Sequence, residues 1–204
     1  MSDVVVLSPS RFSLNTIYVT ELLVRNNVDV KAVVVRRLFN PERFLSEFSR
    51  DGSRLMKKIW KKLVLRGKAY KNTDYETIVD AMKSEKVFFR NVDEFTDSYG
   101  IPVVYCYDLN EARVVDTLKN ARPELVVFTG GGLIRTDVLK NAGAGVLNCH
   151  MGVLPRYRGM DVVEWPILED RVEQIGMTVH FMDKGVDTGD ILRIKKVDVE
   201  SSNS

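Results

Sequence analysis

Cysteine is scarce in this chain, and Cys106 and Cys149 are the only two. They sit at no metal-ligand spacing, so neither a zinc site nor a disulfide framework is expected. No apolar run is long enough to span a bilayer; the first one, Val4–Leu7, is only a strand's length. Met1-Ser2-Asp3 has no basic n-region, so no signal peptide is expected. A reducing cytoplasm and no membrane partner follow as expectations. The glycines that a dinucleotide site requires are also missing. The first strand runs into Ser8-Pro9-Ser10, and Gly130-Gly131-Gly132 is followed by Leu133, Ile134 and Arg135. Neither completes G-x-G-x-x-G, which argues against a Rossmann dinucleotide site. Nor is there a large excess of one charge. Thirty basic residues face 28 acidic ones, a net charge of +2, so nucleic acid is not the default partner. Internal repeats and low-complexity tracts are absent.

The composition that remains suits one folded domain. Hydrophobic residues make up 45% of the 204, enough for a sizeable core. Residues 1–200 are expected to form that domain, with a helical insert over about 40–98 and a disordered tail at 201–204. Charge is uneven within it. Residues 50–72 hold nine basic side chains against one acid, Asp51, on an otherwise acidic body. Leu55, Ile59 and Leu63 repeat at helical spacing there, with lysines alongside. That pattern reads as a basic amphipathic helix, either docked on the body with a solvated face or facing phosphate or tRNA.

Outside the insert, strands and helices alternate. Strands are expected at Val4–Leu7, Val28–Arg36, Ile101–Tyr105, Leu125–Thr129 and Val146–His150. Ser13 caps a helix over about 14–26, with Leu14, Ile17, Tyr18 and Leu22 on its inner face. Asn40-Pro41 opens a helix in the insert. Thr73–Glu76 and Asn91–Glu94 read as capping boxes, and Gly100 as a helix end. Asn110 is the expected cap of a helix through about residue 121. Shorter helices follow near 136–142 and 161–170. Gln174–Met182 and Ile191–Val199 are joined by so short a loop that they should pair antiparallel. The fold class expected is α/β: a doubly wound, mostly parallel sheet with an antiparallel edge.

Ligands of such sheets bind beyond the carboxyl ends of the strands. Gly130–Gly132, Asn148–His150 and the Asp183–Asp190 loop all lie there. Asn148 and His150 are two apart, so they share a strand face, while Cys149 points the other way, toward a core. An amide offers a fixed neutral hydrogen bond, and an imidazole can take or give a proton near neutral pH. Arg156 or Arg158 could pair with a phosphate or carboxylate, or remain solvated. Asp183, Asp187 and Asp190 could all be turn-formers, yet one carboxylate beside an imidazole can hold its tautomer and act as a base. Thr178 and His180 share a face, and His180 is read as a supporting residue.

These residues resemble the folate-dependent formyltransferase family. Its signature places Asn and His with one residue between them, then Leu-Pro, then an aromatic or basic pair and Gly, and later an Asp in a glycine-flanked turn. Here these are Asn148, His150, Leu154-Pro155, Tyr157-Arg158-Gly159 and Gly185-Val186-Asp187-Thr188-Gly189. The resemblance is strong over about 123–195 and topological over 1–105. It implies transfer of a formyl group from 10-formyltetrahydrofolate to a primary amine. It also implies that Asn148 and His150 hydrogen-bond the oxyanion, and that Asp187 holds the imidazole and helps deprotonate the amine. Leu133, Ile134, Arg135, Met182, Asp183 and Val186 match the segments that hold the donor. Arg158, Gly159 and Met160 are the expected acceptor contacts.

The His180–Asp190 run and the Arg158–Trp165 run look most like enzymes acting on nucleotide-linked amino sugars. A methionyl-tRNA or glycinamide ribonucleotide acceptor is the alternative, as is a non-catalytic folate- or RNA-binding relative. Oligomeric state is left open.

Overall fold

The computed structural model describes residues 2–37, 78–130 and 132–198. The expected helix start at Asn40-Pro41, the box at Thr73, the basic stretch at 50–72 and the tail at 201–204 lie outside them. Seven strands form one sheet. They are β1 (Asp3–Ser8), β2 (Asp29–Arg36), β3 (Val103–Cys106), β4 (Leu125–Phe128), β5 (Val146–His150), β6 (Gly176–Phe181) and β7 (Ile191–Lys196). Their order is β3-β2-β1-β4-β5-β6-β7. The pairings from β3 to β5 are parallel. β6 and β7 each join antiparallel. The order of connection reverses between β1 and β4, so their carboxyl ends diverge into loops on opposite sides.

The apolar runs form strands because both faces of the sheet are covered. Val5 and Leu7 enter one core with Val34, Leu118 and Phe128. Val4 and Val6 enter the other with Ile17, Val33 and Phe95. A strand buried on both sides needs continuous β-branched residues rather than alternation.

The helices are α1 (Leu14–Arg25), α2 (Ile78–Ser84), α3 (Val92–Tyr99), α4 (Ala112–Ala121), α5 (Thr136–Leu139) and α6 (Glu164–Leu168). Ser13 caps α1, its hydroxyl accepting from the Thr16 amide at 3.2 Å. The inner face of α1 is more polar than expected. Thr16, Ile17, Thr20 and Glu21 are buried, whereas Leu22 is exposed. The reason is a hydroxyl chain. Thr16 Oγ1 lies 2.7 Å from Ser8 Oγ and 2.7 Å from Thr129 Oγ1, tying α1 to the ends of β1 and β4.

Asn91 caps α3, and Glu94 reaches back to the Arg90 amide at 3.0 Å. Gly100, at φ 66, closes that helix. Asn110 does not cap α4. Glu111 takes the cap position, without a side-chain cap bond, and its carboxylate accepts from the Tyr107 and Asp108 amides at 2.8 and 3.0 Å. The Asn110 amide crosses instead to the loop after β4. It donates to Leu133 O at 2.9 Å and accepts from Arg135 N at 2.6 Å.

Candidate active site

Register across the sheet places the site. Phe128 of β4 lies beside Asn148 of β5, which lies opposite His180 of β6. His150 lies opposite Thr178. Side chains alternate along a strand, so Asn148, His150, Thr178 and His180 share one face. Cys149, on the other face, is exposed rather than core. The two main cores lie under β1–β4, and Val146 is the only β5 residue within them.

Two imidazoles and one carboxylate meet here. Asp187 Oδ2 is 3.5 Å from His150 Nδ1, and Asp187 Oδ1 is 3.5 Å from His180 Nε2. The carboxylate is anchored by the Gly159 amide, which donates to Oδ2 at 2.9 Å. Asp187 has φ 50, in the left-handed region that Asp tolerates better than most residues. Its side chain is 13% exposed, that of His150 8%, and that of His180 is fully buried. Charge interactions in such a setting are far less screened than in water.

The hydrogen bonds assign the protons. His180 Nδ1 is 2.8 Å from Phe181 O, and a carbonyl only accepts, so Nδ1 carries hydrogen. Nε2 of the neutral ring then accepts from Asn148 Nδ2, at 3.2 Å. That bond fixes which way the Asn148 amide faces. His150 Nε2 is 2.8 Å from Tyr157 O and must donate to it. Nδ1 is therefore the nitrogen left to take a proton, and it faces Asp187. An imidazolium formed at Nδ1 would have its charge matched at once by the carboxylate.

The loop after β5 is built around these contacts. Thr178 Oγ1 donates to Gly152 O at 2.7 Å and accepts from Leu154 N at 3.1 Å. A Cβ on Gly152 would lie 2.8 Å from His150 Nε2 and 2.8 Å from Tyr157 O, so the imidazole bond requires glycine there. Val153, Tyr157 and Val162 form a small apolar cluster beneath the loop. The Tyr157 hydroxyl and the Arg156 guanidinium both bind Glu169, at 2.8 and 2.9 Å. Arg156 first, then Tyr157, hold the Glu169 carboxyl below its ordinary range. Arg156 is thus engaged within the chain. Arg158 is exposed and has no hydrogen bond or ion pair among the described residues. Met160 is also exposed, and Gly159 contributes its amide to Asp187.

The segments expected to hold a donor border a cavity of about 490 Å³. Leu133, Ile134 and Arg135 line it, with Gly132 at φ 111 allowing the loop to bend around it. Arg36, Asp108, Asn110, Thr136 and Lys184 complete the wall. The Asn110 amide first, against the opposing effect of burial, holds the Asp108 carboxyl below its usual range. Met182, Asp183 and Val186 flank Lys184 in the turn that carries Asp187. Asp183 accepts from the Gly185 amide at 2.9 Å and the Thr188 hydroxyl at 2.6 Å, closing that turn. The cavity's size is ordinary for a small-molecule site. Asn148, His150 and Asp187 do not line it; the first two lie on the neighbouring β5 and Asp187 in the loop between β6 and β7. Sequence reasoning missed Arg36, Asp108 and Lys184 as lining, and misread Asn110 as a cap.

The fold and site define a class: a doubly wound α/β protein with an amide, an imidazole and a carboxylate joined at its carboxyl edge. Comparison with known proteins narrows it. Residues 72–204 match the sequence model of the formyl transferase family, more than half of the chain. The chain belongs to that family. It is 30% identical over 129 residues to the bifunctional polymyxin resistance protein ArnA of Wigglesworthia glossinidia brevipalpis, covering 63% of this chain and 20% of that one. It is 32% identical over 114 residues to a methionyl-tRNA formyltransferase of Desulforamulus reducens, covering 55% and 36%. The chain thus spans well under half the length of these curated relatives. The phosphoribosylglycinamide formyltransferase structure from Bacillus halodurans shares the fold. Its TM-score is 0.59 at 16% identity, over all of this chain and 83% of that one.

Proposed function

We propose that this chain transfers a formyl group from 10-formyltetrahydrofolate to the primary amine of a nucleotide-linked amino sugar. The observation that supports it best is the Asp187 carboxylate lying 3.5 Å from both His150 and His180, with Asn148 bonded to His180. The amine attacks the donor's formyl carbon, and the bond from that carbon to the donor's nitrogen then breaks, that nitrogen taking up a proton as tetrahydrofolate leaves. An amine attacks only when neutral and must shed a proton as the new C–N bond forms. In this reading His150 Nδ1 takes that proton, and Asp187 stabilises the resulting charge. Asn148 retains a second N–H beyond the one given to His180, available to the formyl oxygen as negative charge builds there. His150 donates to that oxygen only after Nδ1 has taken the proton, because Nε2–H is engaged by Tyr157 O.

The test is a formyl-transfer assay with 10-formyltetrahydrofolate and three acceptors: a nucleotide-linked amino sugar, glycinamide ribonucleotide and charged initiator tRNA. Tetrahydrofolate release and product mass are followed, with a no-acceptor control. Turnover of the amino sugar is the expected result. Turnover of tRNA or glycinamide ribonucleotide alone would move the acceptor assignment. Release without acceptor would mean hydrolysis, and no release at all would reject the activity.

A further inference from the structure

A second cleft, of about 570 Å³, opens at the carboxyl ends of β1, β2 and β3. Its wall comprises Ser10, Arg11, Phe12, Arg36, Arg37, Asp93 and Tyr105. Three arginines and one carboxylate, Asp93, therefore share its wall. They are held in place rather than loose. Arg11 pairs with Asp93, and the Tyr105 hydroxyl donates to the same carboxylate. Burial first, then Asp93, push the Tyr105 phenol up to about 12, so it stays a neutral donor. Arg37 lies over the Tyr105 ring, 4.6 Å from its centroid, and its backbone amide is tied to Cys106 O at 2.7 Å. Arg36 Nε donates to Tyr107 O at 3.3 Å. Phe12 stands 67% exposed at the rim, with the Arg11 guanidinium 5.8 Å from its ring centroid.

Its position matters as much as its charge. Arg36 lines both this cleft and the first cavity, so the two adjoin. β2 is three strand spacings from β5, roughly 14 Å. A ligand joining the cleft to His150 must be elongated, with its amine at one end and its anionic group at the other. Ser10–Phe12 and Arg36–Arg37 also precede residue 72, where the family match begins. The catalytic turn belongs to the matched part, but most of this cleft does not.

We propose that this cleft binds the nucleoside diphosphate end of the acceptor. Arg11, Arg36 and Arg37 take the diphosphate, and Phe12 supplies an exposed ring face for the planar base. Several fixed guanidinium groups suit a multiply charged oxyanion. An exposed aromatic ring suits a flat heterocycle and adds little for inorganic phosphate alone. The proposal rests on the reading of the acceptor given above and extends it to named contacts.

Calorimetric titration with UDP, dTDP and inorganic pyrophosphate tests it without any turnover. At least one nucleotide is expected to bind more tightly than pyrophosphate. Arg37→Ala should weaken that binding about tenfold to hundredfold, the range of a lost charge-assisted hydrogen bond. Phe12→Ala should bring nucleotide affinity down toward that of pyrophosphate. Arg37→Lys should recover part of the loss, and circular dichroism checks that each variant folds. In the transfer assay, the Arg37→Ala penalty should fall on KM more than on kcat. Absence of nucleotide binding, or equal affinity in wild type, Arg37→Ala and Phe12→Ala, would overturn the proposal. The two readings fail separately. Arg37-dependent nucleotide binding without formyl transfer to any amine would keep the cleft and reject the activity. Formyl transfer indifferent to Arg37 and Phe12 would keep the activity and reject the cleft.

Discussion

Asp187 carries two separable properties at the scale of one residue: a backbone in the left-handed region and a charge beside two imidazoles. Asn tolerates the same backbone but cannot balance an imidazolium. Asp187→Asn should therefore fold normally and retain donor affinity, while kcat falls by about 10²–10⁴-fold, the usual range for lost acid–base assistance. His150→Ala should lose activity over the same range. Wild-type kcat in either variant, measured at saturating donor and acceptor, would remove these residues from the chemistry. Much of this centre is legible in the sequence. Asn148 and His150 stand two apart at a strand end, and Asp187 sits in a glycine-flanked turn. The bond network is not legible. Nothing local signals that His180 orients Asn148, or that Tyr157 O engages His150 Nε2, because both contacts depend on strand register and loop closure. Cys149 shows the same limit: alternation gives its face correctly, but whether that face is covered depends on the rest of the fold.

The Asp183–Asp190 turn is the element that brings Asp187 to His150, and Asp183 closes it. The Thr188 hydroxyl is the largest influence holding the Asp183 carboxyl below its ordinary range. A carboxylate depressed in the folded state stabilises it above the unfolded value, about 3.9 for Asp. That contribution is lost as pH falls through the folded value. The turn should thus be closed at neutral and mildly acidic pH and loosen only in strong acid, below about 4. Amide exchange at Gly185, followed by NMR down the acid limb, is the measurement. Asp183→Asn should remove the acid-dependent step, and an unchanged step would place it in another group. Elements of this kind are partly visible in sequence. The box at Asn91 and the cap at Ser13 hold because their partners are local. Asn110 has the composition of a cap but binds a loop some 23–25 residues away, a distance that no local pattern encodes.

Across the whole molecule, the site and the packing that holds the sheet together are separated. The two main cores lie under the parallel strands, whereas Asn148, His150, His180 and Asp187 gather on and beyond β5 and β6. The alternation of strands and helices makes the doubly wound class readable from sequence. The strand order, and hence which loops meet, emerges only from the assembled sheet. The separation has a measurable consequence. Leu118 is fully buried on α4, in the core that packs on β1, β2 and β4. Truncating it to alanine removes apolar contacts and leaves a cavity, a change that typically costs about 2–5 kcal/mol. The bonds that fix Asn148, His150, His180 and Asp187 run between β5, β6 and their loops, none of which Leu118 belongs to. Leu118→Ala should therefore lower the unfolding free energy by about 2–5 kcal/mol in urea titration. Activity per folded molecule, assayed well below the melting temperature, should stay within about twofold of wild type, since distant sites with no shared partners behave nearly additively. A loss of kcat comparable to that of Asp187→Asn, in a preparation shown to be folded, would mean that the α4 core sets the catalytic geometry. The site would then be a property of the entire sheet rather than of its β5–β6 edge.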